Sequence, residues 1–225
     1  MRIPRQAPRP LLTAAQHRAT ICGVVDLGSQ PGNYGLKRQV WIGFETPEAL
    51  TEKGKPFVVG NYYNVYANQQ SALKQMLDSL YGRVLDEDEV YALDLNEALL
   101  GRTATIGVIH DVAKGRAKIN SVGQPPSGTK PQVPTITDPI TFSFNEDGTF
   151  DRKQYELLPG WLQSIVAKSL EYQKAMSPQL GTIGEQLQRR LGGGGGSAKA
   201  ELDDDIPFAT CDLACEPYLK RRVYL

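Results

Sequence analysis

Three cysteines, two histidines and an acidic run are the side chains in this 225-residue chain with the intrinsic reactivity for covalent, acid–base or metal chemistry. None has the company such chemistry needs. Cys211-x-x-x-Cys215 has no second ligand pair at zinc-site spacing, and three thiols are too few for a disulfide scaffold, so a reducing, cytoplasmic setting is expected. Cys22 lies in an apolar run, where it reads as a small hydrophobe. His110 and Asp111 are adjacent on a strand and point to opposite faces, so His110 reads as structural or solvent-facing rather than as a general base. The "DEDE" of 86–89 reads as a solvated face and not a cation site. The "GGGGGS" run neither follows a strand nor ends in Gly-Lys-Ser/Thr, which makes it a tether instead of a phosphate cradle. The chain is therefore expected not to be an enzyme and to carry no cofactor and no metal.

What the residues do offer is a surface for a flexible polyanion. Proteins that hold single-stranded nucleic acid pair cations along the phosphates with aromatic rings under the bases, each stack contributing about 1–3 kcal/mol. Lys37, Arg38, Trp41, Tyr62 and Tyr66 fall on two neighbouring strands, with Lys53 and Lys55 in the loop joining them. Val40, Ile42 and Phe44 make a natural core face, which leaves Trp41 on the opposite face, pointing away from the core. On the next strand Phe57, Val59 and Tyr63 share one face, while Gly60, Tyr62, Asn64 and Tyr66 share the other. The sequence does not say which of these faces is buried.

The elements that must position this set read as follows. "TICGVVDL", "RQVWIGFET" and "PFVVGNYYNVYA" are three strands separated by turn-rich breaks. "QSALKQMLDSLYG" places Leu73, Met76, Leu77 and Leu80 at helical spacing with Gly82 as a stop, and "DLNEALLG" is a second, short helix. "TATIGVIHDV" and "RAKINSVG" form a hairpin turning at 113–115. Three strands, a helix and a two-stranded hairpin is the order of an OB-fold, a five-stranded barrel whose helix lies between strands three and four. The expectation is a mainly β chain with a basic, disordered arm over 1–18, the OB-fold over 19–124, a linker and β/helical extension over 125–176, and a flexible tail over 177–225. The extension carries Ile140, Phe142 and Phe144 in alternation, then Trp161, Leu162, Ile165, Val166 and Leu170 along one helix side. That apolar side needs the barrel wall or a partner subunit to cover it.

Charge adds little, since 25 Lys/Arg balance 25 Asp/Glu. Fourteen of the basic and twelve of the acidic residues precede 124, which permits a basic groove in front and an acidic tail behind. No run approaches membrane-spanning length, and the N-terminus lacks the apolar stretch of a signal peptide.

The tail is the specific signal. Asp203, Asp204, Asp205, Ile206, Pro207 and Phe208 read "DDDIPF" beyond a glycine-rich tether, and this hexapeptide resembles the acidic tip of bacterial-type single-stranded-DNA-binding proteins, most closely their diverged bacteriophage forms. The resemblance implies an OB barrel that coats single-stranded DNA in replication, recombination and repair, usually as a homo-oligomer, and a mobile tip that recruits partner enzymes. The tip's chemistry suits that role: Phe208 and Ile206 can fill an apolar pocket, the aspartates can meet a basic rim, and Pro207 limits the entropy lost on docking. In that family the phenylalanine ends the chain and offers its carboxylate. Here "ATCDLACEPYLKRRVYL" follows, so Phe208 cannot. The alternative reading is an OB-like adaptor that docks proteins and never touches nucleic acid.

Overall fold

The computed structural model describes residues 10–32, 35–66, 68, 70–113, 115–128 and 138–176. Most of the linker, the tip at 203–208 and the rest of the tail lie outside the described residues, as do residues 1–9. The described chain is mainly β. Strands β1 (Gln16–Gly32), β2 (Gly35–Leu50), β3 (Pro56–Asn64), β4 (Thr103–Asp111) and β5 (Arg116–Gly123) form an antiparallel sheet in the order β3-β2-β1-β4-β5, and a short β6 (Ile140–Phe142) pairs parallel to β1.

β1 is the organising strand. Its first five residues, Gln16–Thr20, pair with β4, and its remainder pairs with β2. Register shifts at Ile21/Gly23 and Asp26/Gly28 break its regular pleat; such irregularities bend a strand and raise its twist. Gly23–Val25 then take up β6. The sheet is open, with β3 and β5 as its edges. Those two edges nevertheless approach each other, and helix α1 (Ala72–Tyr81) packs against both.

α1 forms where the sequence places it. Leu73, Met76, Leu77 and Leu80 make its buried side, and Gly82 ends it with φ 66°, a left-handed conformation that costs glycine nothing. Lys74 shares that side and is buried because its ammonium reaches Asp78 one turn on, at 2.8 Å. The acidic 86–89 run proves to be a helix start. Asp86 accepts from the Glu89 N–H at 2.7 Å and Glu89 returns a bond from the Asp86 N–H at 3.0 Å, a capping box that opens α2 (Glu87–Ala92). Asp94 likewise caps α3 (Leu95–Leu99).

Two cores lie on opposite faces of the sheet. The inner one gathers Ile21, Val24, Val40, Ile42, Phe44, Tyr63, Ala104, Ile106 and Ile119 under α1 and α3. The outer one gathers Val25, Leu27 and Trp41 under Phe142, Phe144, Leu158, Leu162 and Val166. The latter residues come from the extension, which is β6 followed by α4 (Arg152–Leu157), α5 (Gly160–Val166) and α6 (Leu170–Met176). The sequence suggests one helix from 158 to 172. The chain breaks it instead at Ala167–Ser169, where Ser169 accepts from the Tyr172 N–H at 3.2 Å and starts α6.

The N-terminal boundary also shifts. The expected arm extends to residue 18, but β1 begins at Gln16 and Leu12 is buried in the inner core. His110 supplies the reason: its Nε2–H donates to the Leu12 carbonyl at 2.8 Å, while the Val108 N–H donates to Ala15 at 2.9 Å.

Candidate nucleic-acid interface

The seven residues expected to contact a single strand do not form one surface. Tyr66 follows β3 and lies near the start of β2, because the Val65 N–H donates to the Arg38 carbonyl at 2.9 Å. Lys37, Arg38 and Tyr66 therefore share one end of the β2–β3 ribbon. Lys53 and Lys55 occupy the β2–β3 turn at the other end. Both lysines are exposed, and Tyr66 is 44% exposed.

Arg38 is already engaged. Its Nη2 donates to Asp26 Oδ2 at 2.6 Å, and this hydrogen bond, with the charges of Asp26 and Glu171 against the cost of burial, raises its pKa. A phosphate would have to compete with Asp26 for that guanidinium.

Trp41 is the main correction. The parity argument places it on the face opposite Val40, Ile42 and Phe44, and it lies there, yet it is only 3% exposed. Alternation along a strand decides which face a side chain takes and says nothing about what covers that face. The covering is specific. Gly23, Gly43 and Gly60 stand side by side across β1, β2 and β3, and the indole of Trp41 lies flat along this glycine row. A Cβ at Gly23 would sit 2.8 Å from the ring, and one at Gly43 or Gly60 would run into it. Trp161 of α5 closes the site from above, edge-on to Trp41 with centroids 5.4 Å apart and planes at 79°. Trp41 is thus a packing residue rather than an outward ring.

Tyr62 stands directly opposite Trp41 on β3 and belongs to the same outer cluster, while Tyr63 faces inward. Burial pushes the Tyr62 hydroxyl up to about 12, opposed by the charge of Arg116. Arg116, the first residue of β5, thus acts electrostatically on a β3 side chain, a relation the sequence reading missed because β3 and β5 are far apart along the chain although the two strands approach each other.

The extension is held by more than apolar contact. Glu171 of α6 accepts from the Ser29 N–H at 2.7 Å and from the Ser29 hydroxyl at 2.6 Å. Gln30 donates to the Ile165 carbonyl at 3.1 Å. Gly28 makes the approach possible: its φ is 70°, and a Cβ there would lie 2.7 Å from both Glu171 Oε2 and Ser169. Beside this clamp Phe142, Phe144, Phe150, Tyr155 and Tyr172 interlock, with Phe150 stacked on Tyr172 at 5.3 Å and 18°.

Among the described residues no group of His, Cys, Asp and Glu is placed to hold a metal ion, and no helix is long and apolar enough to cross a membrane. No protein-family model, curated protein or solved structure matches the chain.

Proposed function

We propose that the chain is a single-stranded-DNA-binding protein, built on an OB-type barrel, that coats and protects single strands in replication or recombination and recruits partner enzymes through Asp203–Phe208. The observation that carries the reading is the sheet order β3-β2-β1-β4-β5 with α1 inserted between β3 and β4 and packed on both edge strands. An OB barrel has this connectivity, with its helix at the mouth where the edges approach. The "DDDIPF" tip beyond a glycine tether supports the same assignment from a separate part of the chain. On this reading the protein acts in a cytoplasm, that of a bacterial host if phage-encoded, and assembles as a homo-oligomer.

Two observations favour the rival, an OB-like adaptor that binds only proteins: the covering of Trp41 and the pairing of Arg38 with Asp26. One binding isotherm on oligo-dT and on duplex of the same length separates them. Saturable binding to oligo-dT with weaker binding to duplex supports the proposal. No affinity for either leaves the adaptor, and equal affinity for both overturns the two readings alike.

A further inference from the structure

β1 has strands on both sides for only part of its length. β4 takes Gln16–Thr20 and β6 takes Gly23–Val25, but from Asp26 to Gly32 the only strand beside it among the described residues is β2. A bare strand edge is a template on which another chain can pair. This one is closed at Leu27, Ser29 and Pro31. Ser29 stands opposite Arg38, whose carbonyl is used by the Val65 N–H on the far side of β2, so the pair shares no ladder bond and the Ser29 N–H points to the open edge. It donates there to Glu171 at 2.7 Å, while the Ser29 hydroxyl donates to the other carboxylate oxygen at 2.6 Å. The Leu27 carbonyl accepts from the Gln30 side-chain amide at 2.6 Å, and that amide also reaches the Ile165 carbonyl of α5 at 3.1 Å. Pro31, two residues past Ser29 and therefore on the same edge, has no N–H to offer. Helix α6 packs along this stretch, held by Glu171 and by the stack of Tyr172 on Phe150.

We propose that α6 is the guard of this edge: it ends the sheet at β1 and keeps a second copy of the chain from pairing there. The excluded partner is a second copy because the edge is complementary to itself. In an antiparallel pair of two such edges, with a twofold axis at Ser29, the two Ser29 residues exchange N–H and carbonyl, and Pro31 of one copy faces Leu27 of the other. The N–H that proline lacks would be owed to a carbonyl that Gln30 already satisfies. What stands in the way is Glu171 and the helix that carries it. Any assembly of copies in which α6 keeps its place must therefore use another surface.

Releasing α6 in the full chain tests this. Glu171→Ala combined with Tyr172→Ala removes both the clamp and the ring stack. The mass of that variant in light scattering is expected to rise with concentration toward double the wild-type value. Glu171→Gln, which keeps an acceptor for the Ser29 N–H, is expected to stay at the wild-type mass. So is Met76→Ala, which loosens the inner core and leaves this edge guarded. Hydrogen exchange locates the contact: the Ser29 amide, quick in the dilute double variant, is expected to slow as concentration rises. Should the double variant fail to fold, Glu171→Ala alone is read in the same way. A folded variant that keeps the wild-type mass at every concentration overturns the proposal. So does association during which Ser29 still exchanges quickly, or equal association by Met76→Ala.

Discussion

The inner and outer faces of one sheet have been covered in different ways. On the inner face, Val40, Ile42 and Phe44 of β2 are met by α1, which begins only a few residues after β3 ends. On the outer face, Trp41 of the same strand is met by α5, more than a hundred residues further along. Neighbouring residues on one strand thus belong to cores with different folding requirements, one local and one closed by a distant segment. Closing the longer loop adds entropy cost only slowly with length, so a remote segment can cover a face if its contacts are good enough. Here they include fully buried Leu162 and Val166 and the two-bond Glu171 clamp.

If the two faces are equivalent in packing, truncation should cost the same on either. Trp41→Ala and Phe44→Ala are each expected to destabilise the chain by about 3–5 kcal/mol in urea unfolding, the range for deleting a buried aromatic side chain. A Trp41→Ala cost below about 1 kcal/mol, far under that range, would mean that the outer face is a loose contact and not a core. The glycine row gives a smaller effect of opposite kind. Gly60→Ala adds one methyl group against the Trp41 ring, and over-packing of this sort should cost about 1–3 kcal/mol.

The clamp is specific to the outer face. Glu171→Ala removes both acceptors that Ser29 uses and should cost about 1–3 kcal/mol, with hydrogen exchange quickening at Ser29 and through α6 before it quickens in α1. Uniform acceleration across both cores would show that they unfold as one unit. The smallest effect lies in the capping box on the inner side. The Arg83 hydrogen bond, with that of the Asp86 N–H, holds Glu89 down at about 2. A carboxylate depressed in this way stabilises the fold above its ordinary pKa and loses that contribution as pH falls toward 2. Arg83→Gln should therefore move the Glu89 titration upward, read by NMR, with little change in stability at neutral pH because the pair is exposed.

The legible parts of this chain are those whose partners are near in sequence. The spacing of Leu73, Met76, Leu77 and Leu80 gives α1, the turn at 113–115 gives the β4–β5 hairpin, and parity gives the face of Trp41. Its exposure was not legible, because that depends on which segment docks there, and only a surplus of apolar residues at 158–170 hinted that something must. The capping box was legible from Asp86 and Glu89 alone, three residues apart before a helix, but its acidic neighbours disguise it as a charged face. The residues expected at the candidate site divide in the same manner: Lys37, Arg38 and Tyr66 are brought together by the β2–β3 register, whereas Lys53 and Lys55 go to the far end of that ribbon.

The most direct test of the functional assignment is the affinity of the full chain for oligo-dT across a series of salt concentrations, alongside a duplex of equal length. A chain that seats single strands on cations and a ring should bind oligo-dT more tightly than duplex at every salt, with a log–log slope of about −0.7 for each phosphate neutralised. A slope near zero, or identical curves for the two nucleic acids, would contradict the assignment.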